Sequence, residues 1–298
     1  MNFLITGGTG LIGQALIKSI NFKDNTVTVL TRNIATASLR LTNDINFIDE
    51  LSLSDIEHSD IVINLAGEPI ADKRWTREQK NKICDSRWNI TAQITHLISI
   101  AQKPPRVLIS GSAIGIYGRQ NDMPIDEDFS DFHQEFTHDV CAKWEENALA
   151  AISAKTRVAI LRTGIVLDRE SGALAKMILP FKLGVGGKIS HGGQFMSWIH
   201  LEDMVSAIIY IIGNNNLAGP INITSPNAVT NENFSKALAK SLHRPCILMT
   251  PAPLLKLIFG EMAELLLFGQ NVVPQKLLNN GFTFKHSDIG PALTDLLK

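Results

Sequence analysis

No charge of one sign dominates this chain: 29 acids face 28 bases, for a formal net charge of −1 over 298 residues. A bulk electrostatic drive toward nucleic acid or an anionic membrane is thereby excluded, and a small-molecule partner is expected instead. Cysteine is scarce. Cys84, Cys141 and Cys246 are far apart and form no C-x-x-C pair, which excludes a disulfide framework and a thiolate zinc site, so no metal is expected and a reduced, cytoplasmic setting is. Long apolar runs are absent too. The greasiest block, Ala207 to Ile212, is far too short to span a bilayer, and the N-terminus shows no basic segment followed by a signal core. A soluble, unprocessed protein without membrane contact is the expectation. Finally, the chain holds only two tyrosines, Tyr117 and Tyr210.

What is present is a regular alternation of strand-like and helix-like segments. The apolar run Phe3-Leu4-Ile5 leads into Thr6-Gly7-Gly8-Thr9-Gly10-Leu11-Ile12-Gly13, after which Leu11, Ile12, Ala15, Leu16 and Ile17 recur at helical spacing. A strand, a glycine turn and a helix start are thus adjacent, an arrangement that brings unpaired backbone N–H groups up to a phosphate. The spacing of Gly7, Gly10 and Gly13 is G-x-x-G-x-x-G, one residue longer at the front than G-x-G-x-x-G. Thr26 to Leu30 reads as a second strand ending at Arg32. In dinucleotide folds an acid at that point binds the ribose of NAD, whereas an arginine accommodates the 2′-phosphate of NADP, so NADP(H) is the expected cofactor.

Further strands are expected at Ile45 to Ile48, Asp60 to Gly67, Arg106 to Ser110 and Val158 to Leu161. Helical patterns intervene, among them Ile90 to Ile98 and Glu135 to Ile152. The sequence therefore predicts an α/β fold, a Rossmann-type doubly wound parallel sheet over residues 1–168, with segments 195–225 returning to it. A smaller α/β substrate lobe is expected over 169–298, with its own C-terminal portion from about 246. There, Leu201 to Ile212 and Asn231 to Leu242 read as helices, the latter capped by Thr230. One apolar helix is expected from Leu254 to Phe268, followed by a connector around Pro274 and a last segment from Leu277 to Leu297.

Five motifs fall in one order: T-G-G-T-G-L-I-G, N-L-A-G, S-G-S-A-I-G-I-Y-G, L-R-T-G-I-V-L and W-I-H-L-E-D-M. Together they make the chain resemble an extended short-chain dehydrogenase/reductase of the epimerase branch, end to end. N-L-A-G-E-P-I-A-D-K-R-W, C-A-K-W-E-E and G-G-K-I-S-H-G-G-Q-F-M-S-W-I-H resemble a sub-branch of epimerase-family proteins with their own C-terminal domain, some labelled cell-division inhibitor. The resemblance implies that Gly7, Gly10 and Gly13 form the pyrophosphate turn, with Thr9, Leu11 and Ile12 lending N–H groups. It assigns Arg32 to the adenosine phosphate, Leu65, Ala66 and Gly67 to the cofactor wall, and Gly164, Ile165 and Val166 to the nicotinamide. Ser112 corresponds to the family's catalytic serine, at the end of the strand carrying Ser110. Arg87 is a further candidate for the cofactor phosphates.

Members of the family use a Tyr-x-x-x-Lys pair, in which the phenolate takes a proton while the ammonium lowers its pKa. No tyrosine lies between Tyr117 and Tyr210, so that pair is missing. If Glu145 matches the acid that follows the family's lysine, the lysine position falls on Cys141 and the tyrosine position on Thr137. If Lys143 is the lysine, Asp139 takes the tyrosine position. Tyr117 as a proton donor and Cys141 as a thiolate are the substitutes the sequence offers. His200 and Asp203 are expected to pin the second lobe to the sheet. Two functions follow as expectations: an NADP(H)-dependent oxidoreductase or epimerase on a sugar-like or nucleotide-linked molecule, and a non-catalytic NADP(H)-binding regulator. A homodimer is compatible with the fold but not specified.

Overall fold

The computed structural model describes residues 1–41 and 44–298. Seven parallel strands form the central sheet: β1 (Asn2–Thr6), β2 (Thr26–Leu30), β3 (Ile45–Ile48), β4 (Ile61–Asn64), β5 (Val107–Ala113), β6 (Arg157–Thr163) and β7 (Gly219–Ile223). Their order is β7-β6-β5-β4-β1-β2-β3, with the reversal between β1 and β4 that defines a nucleotide-binding crevice. The strands read as apolar runs because both faces are covered. Phe3, Ile5, Ile61 and Ile63 point into one core layer, shared with Leu16, Ile17, Met204 and Ile208. Leu4, Val62, Leu108 and Ile160 point into the other, against Ile94, Ile98 and Ala148. Adjacent residues of a strand thus bury opposite faces.

The helices are α1 (Leu11–Ser19), α2 (Arg77–Ile100), α3 (Phe136–Leu149), α4 (Gly172–Lys182), α5 (Leu201–Gly213), α6 (Asn231–Ser241), α7 (Ala252–Phe259) and α8 (Ile289–Leu297); α1, α2, α3 and α5 cover the sheet, while α4, α6 and α8 share a separate core. Helix α2 starts earlier than the periodicity suggested. The Thr76 hydroxyl accepts the Gln79 N–H and fixes its first turn within the polar stretch. Thr230 caps α6 in the same way, accepting from Asn233.

One expectation fails in the C-terminal portion. The apolar pattern from Leu254 to Phe268 is not one helix, because Gly260 adopts φ 62° and breaks it into α7 and two single-turn pieces. The last segment holds a short helix (Gln275–Asn279) and then α8. Apolar spacing is unchanged across a backbone reversal, so periodicity alone cannot locate it.

His200, Glu202 and Asp203, from the W-I-H-L-E-D-M motif, fasten the C-terminal segment to the start of α5. Nδ1 of His200 accepts the Glu202 N–H at 3.1 Å, and the Asp203 carboxylate accepts the N–H groups of Lys285 at 2.9 Å and His286 at 2.8 Å. Glu202 pairs with Lys285 Nζ and His286 Nε2, and the two imidazoles stack with centroids 3.7 Å apart. His200, Glu202 and His286 hold ligand-type atoms within 4.8 Å of one another. With Nδ1 of His200 accepting, however, Nε2 carries the ring proton and has no lone pair for a metal.

Burial, reinforced by His286, holds the His200 pKa below its ordinary 6.5. The folded chain therefore resists a proton that the unfolded chain takes up, so stability is full above about pH 6.5 and falls as the pH drops below it. Urea midpoints measured from pH 8 to about pH 5 should show this decline, and His200→Asn, which keeps an N-cap acceptor, should flatten it.

Candidate cofactor and active site

Strand β1 delivers the chain into the glycine turn at the carboxyl edge of the sheet. Gly7 has φ 69°, and a Cβ there would lie 2.5 Å from the Leu65 carbonyl oxygen, while one on Gly13 would lie 2.4 Å from the Gly7 oxygen. Both positions demand glycine for close packing of turn, helix and the β4 loop. Gly10 differs. Its φ of −77° is ordinary, it is exposed, and it caps α1 without any side-chain hydrogen bond. The first intrahelical bond runs from Gln14 N–H to the Gly10 carbonyl. The N–H groups of Leu11, Ile12 and Gly13 are thus left at an uncapped helix start, where the macrodipole favours an anion.

The wall beside the turn is fixed by a buried relay that sequence reasoning missed. Thr6 Oγ1 donates to Asn64 Oδ1 at 2.6 Å, Asn64 Nδ2 donates to Thr91 Oγ1 at 2.8 Å, and the Ala66 N–H donates back to Thr6 Oγ1 at 3.2 Å. Leu65 and Ala66 are therefore locked against the turn. A polar Asn64 ending an otherwise apolar β4 was the available signal. Arg87 lies under Gly67, with one guanidinium nitrogen donating to the carbonyls of Glu68 and Ile83, so it braces the wall from below. Arg32 is exposed at the end of β2, beside Asn33, which caps the next helix. Ser110 is fully buried within β5. Gly164 passes hard against the Ser197 carbonyl, and Ile165 and Val166 pair with Trp198 and Ile199 in a two-stranded ladder.

At the other end of the crevice, α3 separates the residues of the two alignments by burial. Thr137, Cys141 and Glu145 are buried on its inner face, whereas Asp139 and Lys143 are exposed, the latter pairing with Glu146. The alignment that matches the tyrosine and lysine positions to Thr137 and Cys141 therefore uses the buried face of α3, and the one that uses Asp139 and Lys143 its exposed face. Ser112 Oγ donates to Glu145 Oε1 at 2.7 Å. Glu145 in turn receives both Nε (3.0 Å) and a terminal nitrogen (2.9 Å) of Arg162, in a pair whose side chains are only 7% and 6% exposed. Burial alone would lower the Arg162 pKa, but the bidentate carboxylate outweighs it and raises the pKa further. The chain continues from Arg162 to the Tyr117 oxygen at 3.1 Å, and from Tyr117 to Asn222 Oδ1 at 2.7 Å. Asn222 donates to the Val273 carbonyl, and Glu127 accepts the N–H groups of Asn222 and Lys276, which ties the network to the C-terminal segment.

This geometry argues against both substitutes proposed from the sequence. Tyr117 is wholly buried, its oxygen is enclosed by Arg162, Asn222 and Asp126, and burial pushes its pKa up to about 12. Cys141 is buried as well, with burial and the nearby Glu145 raising its thiol to about 12, so it stays protonated. Ser112 cannot polarise a carbonyl while its one proton is held by Glu145. An arginine at an inward-facing position of β6 was the signal for the missed pair, since a buried charge requires a partner.

Comparison with known proteins agrees with this architecture. The sequence profile of the NAD dependent epimerase/dehydratase family matches residues 3–224, and a domain of unknown function, DUF1731, matches residues 250–296. An epimerase family protein of Staphylococcus aureus (strain N315) is 36% identical over 301 residues, covering 99% of both chains. The crystal structure of human epimerase family protein SDR39U1 (isoform 2) with NADPH is similar at TM-score 0.87 and 29% identity, over 100% of this chain and 99% of that one. A nucleoside-diphosphate sugar epimerase from Corynebacterium glutamicum is similar at TM-score 0.79 and 27% identity, over 100% of this chain and 58% of that one. No helix among the described residues is long and apolar enough to cross a membrane. With the profile covering most of its length and a relative matching end to end, this chain belongs to the NAD dependent epimerase/dehydratase family.

Proposed function

We propose that this chain binds NADP(H) across the carboxyl edge of its sheet, and that its site is built for cofactor binding rather than for epimerisation through a phenol and an ammonium. The uncapped start of α1 supports the first half: N–H groups of Leu11, Ile12 and Gly13 would hold the pyrophosphate, and Arg32 the 2′-phosphate. The human relative crystallised with NADPH supports it as well. One observation carries the second half. On the alignment that uses the buried face of α3, Thr137 and Cys141 stand where the proton relay would be, and the Ser112 proton is held by a carboxylate already paired with Arg162. Bound NADPH would bring a hydride donor, while among the described residues the inner face of α3 offers a hydroxyl and a thiol, not a phenol and an ammonium, for the accompanying proton.

A second reading, an NADP-dependent oxidoreductase or epimerase on a sugar-like or nucleotide-linked molecule, is favoured by the name of the Corynebacterium relative. The two separate in one experiment: titrate NADPH calorimetrically, then follow nicotinamide absorbance, and the sugars themselves, with a panel of nucleotide sugars and small carbonyls. Tight binding without oxidation or interconversion is expected, and turnover of any panel member would favour the second reading. In the same titration Arg32→Ala should weaken NADPH about tenfold through loss of one charge-assisted contact, and leave NADH unaffected.

A further inference from the structure

On the edge of the sheet opposite the glycine turn, the N-terminal ends of β5 and β6 and the C-terminal end of α5 line an open depression of about 240 Å³. Its walls are Arg106, Lys155, Arg157, Ser153 and Asn215, joined by the apolar Val107 and Ile212. Three cations line it and no acid does, in a chain whose charges balance overall.

The three cations differ in what already neutralises them. Arg157 is half-buried, and its terminal nitrogens donate to the carbonyls of Ile211, Ile212 and Leu217, covering the negative end of α5. Burial, aided by the neighbouring Arg106 cation, lowers its pKa. Among the described residues the Arg106 guanidinium has only the Met1 sulfur as an acceptor, and the Lys155 ammonium has no hydrogen-bonded or ionic partner. Asp60, whose carbonyl accepts the Arg106 N–H, has its carboxylate on the Asn2 amide. Like charges gathered in a concavity repel one another, and an anion between them removes that repulsion. Asn214 and Asn216 line an adjoining open groove that shares Asn215 with this depression and adds side-chain amides to the rim.

We propose that this depression is an oxyanion-binding site for a small phosphorylated or carboxylated molecule, separate from the cofactor crevice. Arg106 and Lys155 supply the ionic contacts, Arg157 the fixed floor, and Asn215 an amide. The volume lies below that of typical drug-sized pockets, which suits a phosphate-sized group with a short polar body.

Calorimetric titration of the whole chain with inorganic phosphate, at ionic strength held constant with chloride, tests this. It is run on the wild type, on R106Q/K155Q, and on Gly10→Asp, which places a negative charge in the glycine turn and so closes the other phosphate-attracting position. Both substituted cations are exposed, and an unchanged urea midpoint verifies that the double variant folds. Binding in the wild type and in Gly10→Asp, weakened about tenfold for each cation removed, is the expected result. No binding to the wild type, equal binding to R106Q/K155Q, or loss of binding in Gly10→Asp would each overturn the proposal.

Discussion

Replacing Gly10 with aspartate is expected to lower NADPH affinity by at least about 100-fold while leaving the fold as stable as before, or slightly more so. The two effects separate because Gly10 differs from its neighbours. Its backbone is in an ordinary extended conformation, and a Cβ there would meet only the Gly7 carbonyl oxygen, at 3.2 Å. Aspartate is also among the best N-cap residues, so its carboxylate can accept an N–H group at the start of α1 and stabilise the helix. Those are the groups proposed for the pyrophosphate. The carboxylate would occupy them and repel the incoming diphosphate, a like-charge juxtaposition of several kcal/mol. Gly10→Asn caps without charge and should weaken binding much less. Calorimetry with NADPH and urea unfolding on the three proteins check the prediction. A loss of stability parallel to the loss of binding would mean that the turn is a packing device only.

The largest stability effect is expected at Glu145. Among the described residues its carboxylate is the only acid on the buried Arg162 guanidinium, and it also accepts a hydrogen bond from Ser112. Glu145→Ala would leave a cation nearly without solvent contact and without a counter-ion, and breaking a buried pair from one side costs about 3–5 kcal/mol. The urea midpoint should fall accordingly. Removing both charges, as in Glu145→Leu with Arg162→Met, should recover a large part of that loss, because the desolvated charge goes with its partner. Recovery will be incomplete, since Ser112 and Tyr117 then lose hydrogen-bond partners. A double variant no better than Glu145→Ala would show that Arg162 is stabilised by something other than Glu145.

How far the sequence could be read depended on whether the controlling interaction is local. The seven-stranded sheet was legible because β1 to β6 are short apolar runs separated by helical periodicity, and the glycine turn was legible because its constraint lies within eight residues. Gly7 and Gly13 could be recognised, but not why each is needed, since their close neighbours Leu65 and Gly7 come into contact only in the fold. The break at Gly260 went unread because a single residue at positive φ reverses the chain without disturbing the apolar spacing. The catalytic end was read only as a gap. That Thr137 and Cys141 are buried on the inner face of α3 is seen only in the fold, and the Ser112–Glu145–Arg162–Tyr117 chain joins residues from two strands, an α-helix and a single 3-10 turn (Ile114–Tyr117). His200 and Asp203 were legible as docking residues, although their partners Lys285 and His286 lie more than 80 positions away.

The most direct test of a kept cofactor cradle with a replaced proton relay is the crystal structure of this chain with NADPH. Pyrophosphate oxygens on the N–H groups of Leu11 and Ile12, with no phenol or ammonium within hydrogen-bond reach of the nicotinamide or its ribose, is the expected result. A pyrophosphate bound outside the glycine turn, or a tyrosine or lysine of this chain brought up to the nicotinamide, would contradict it.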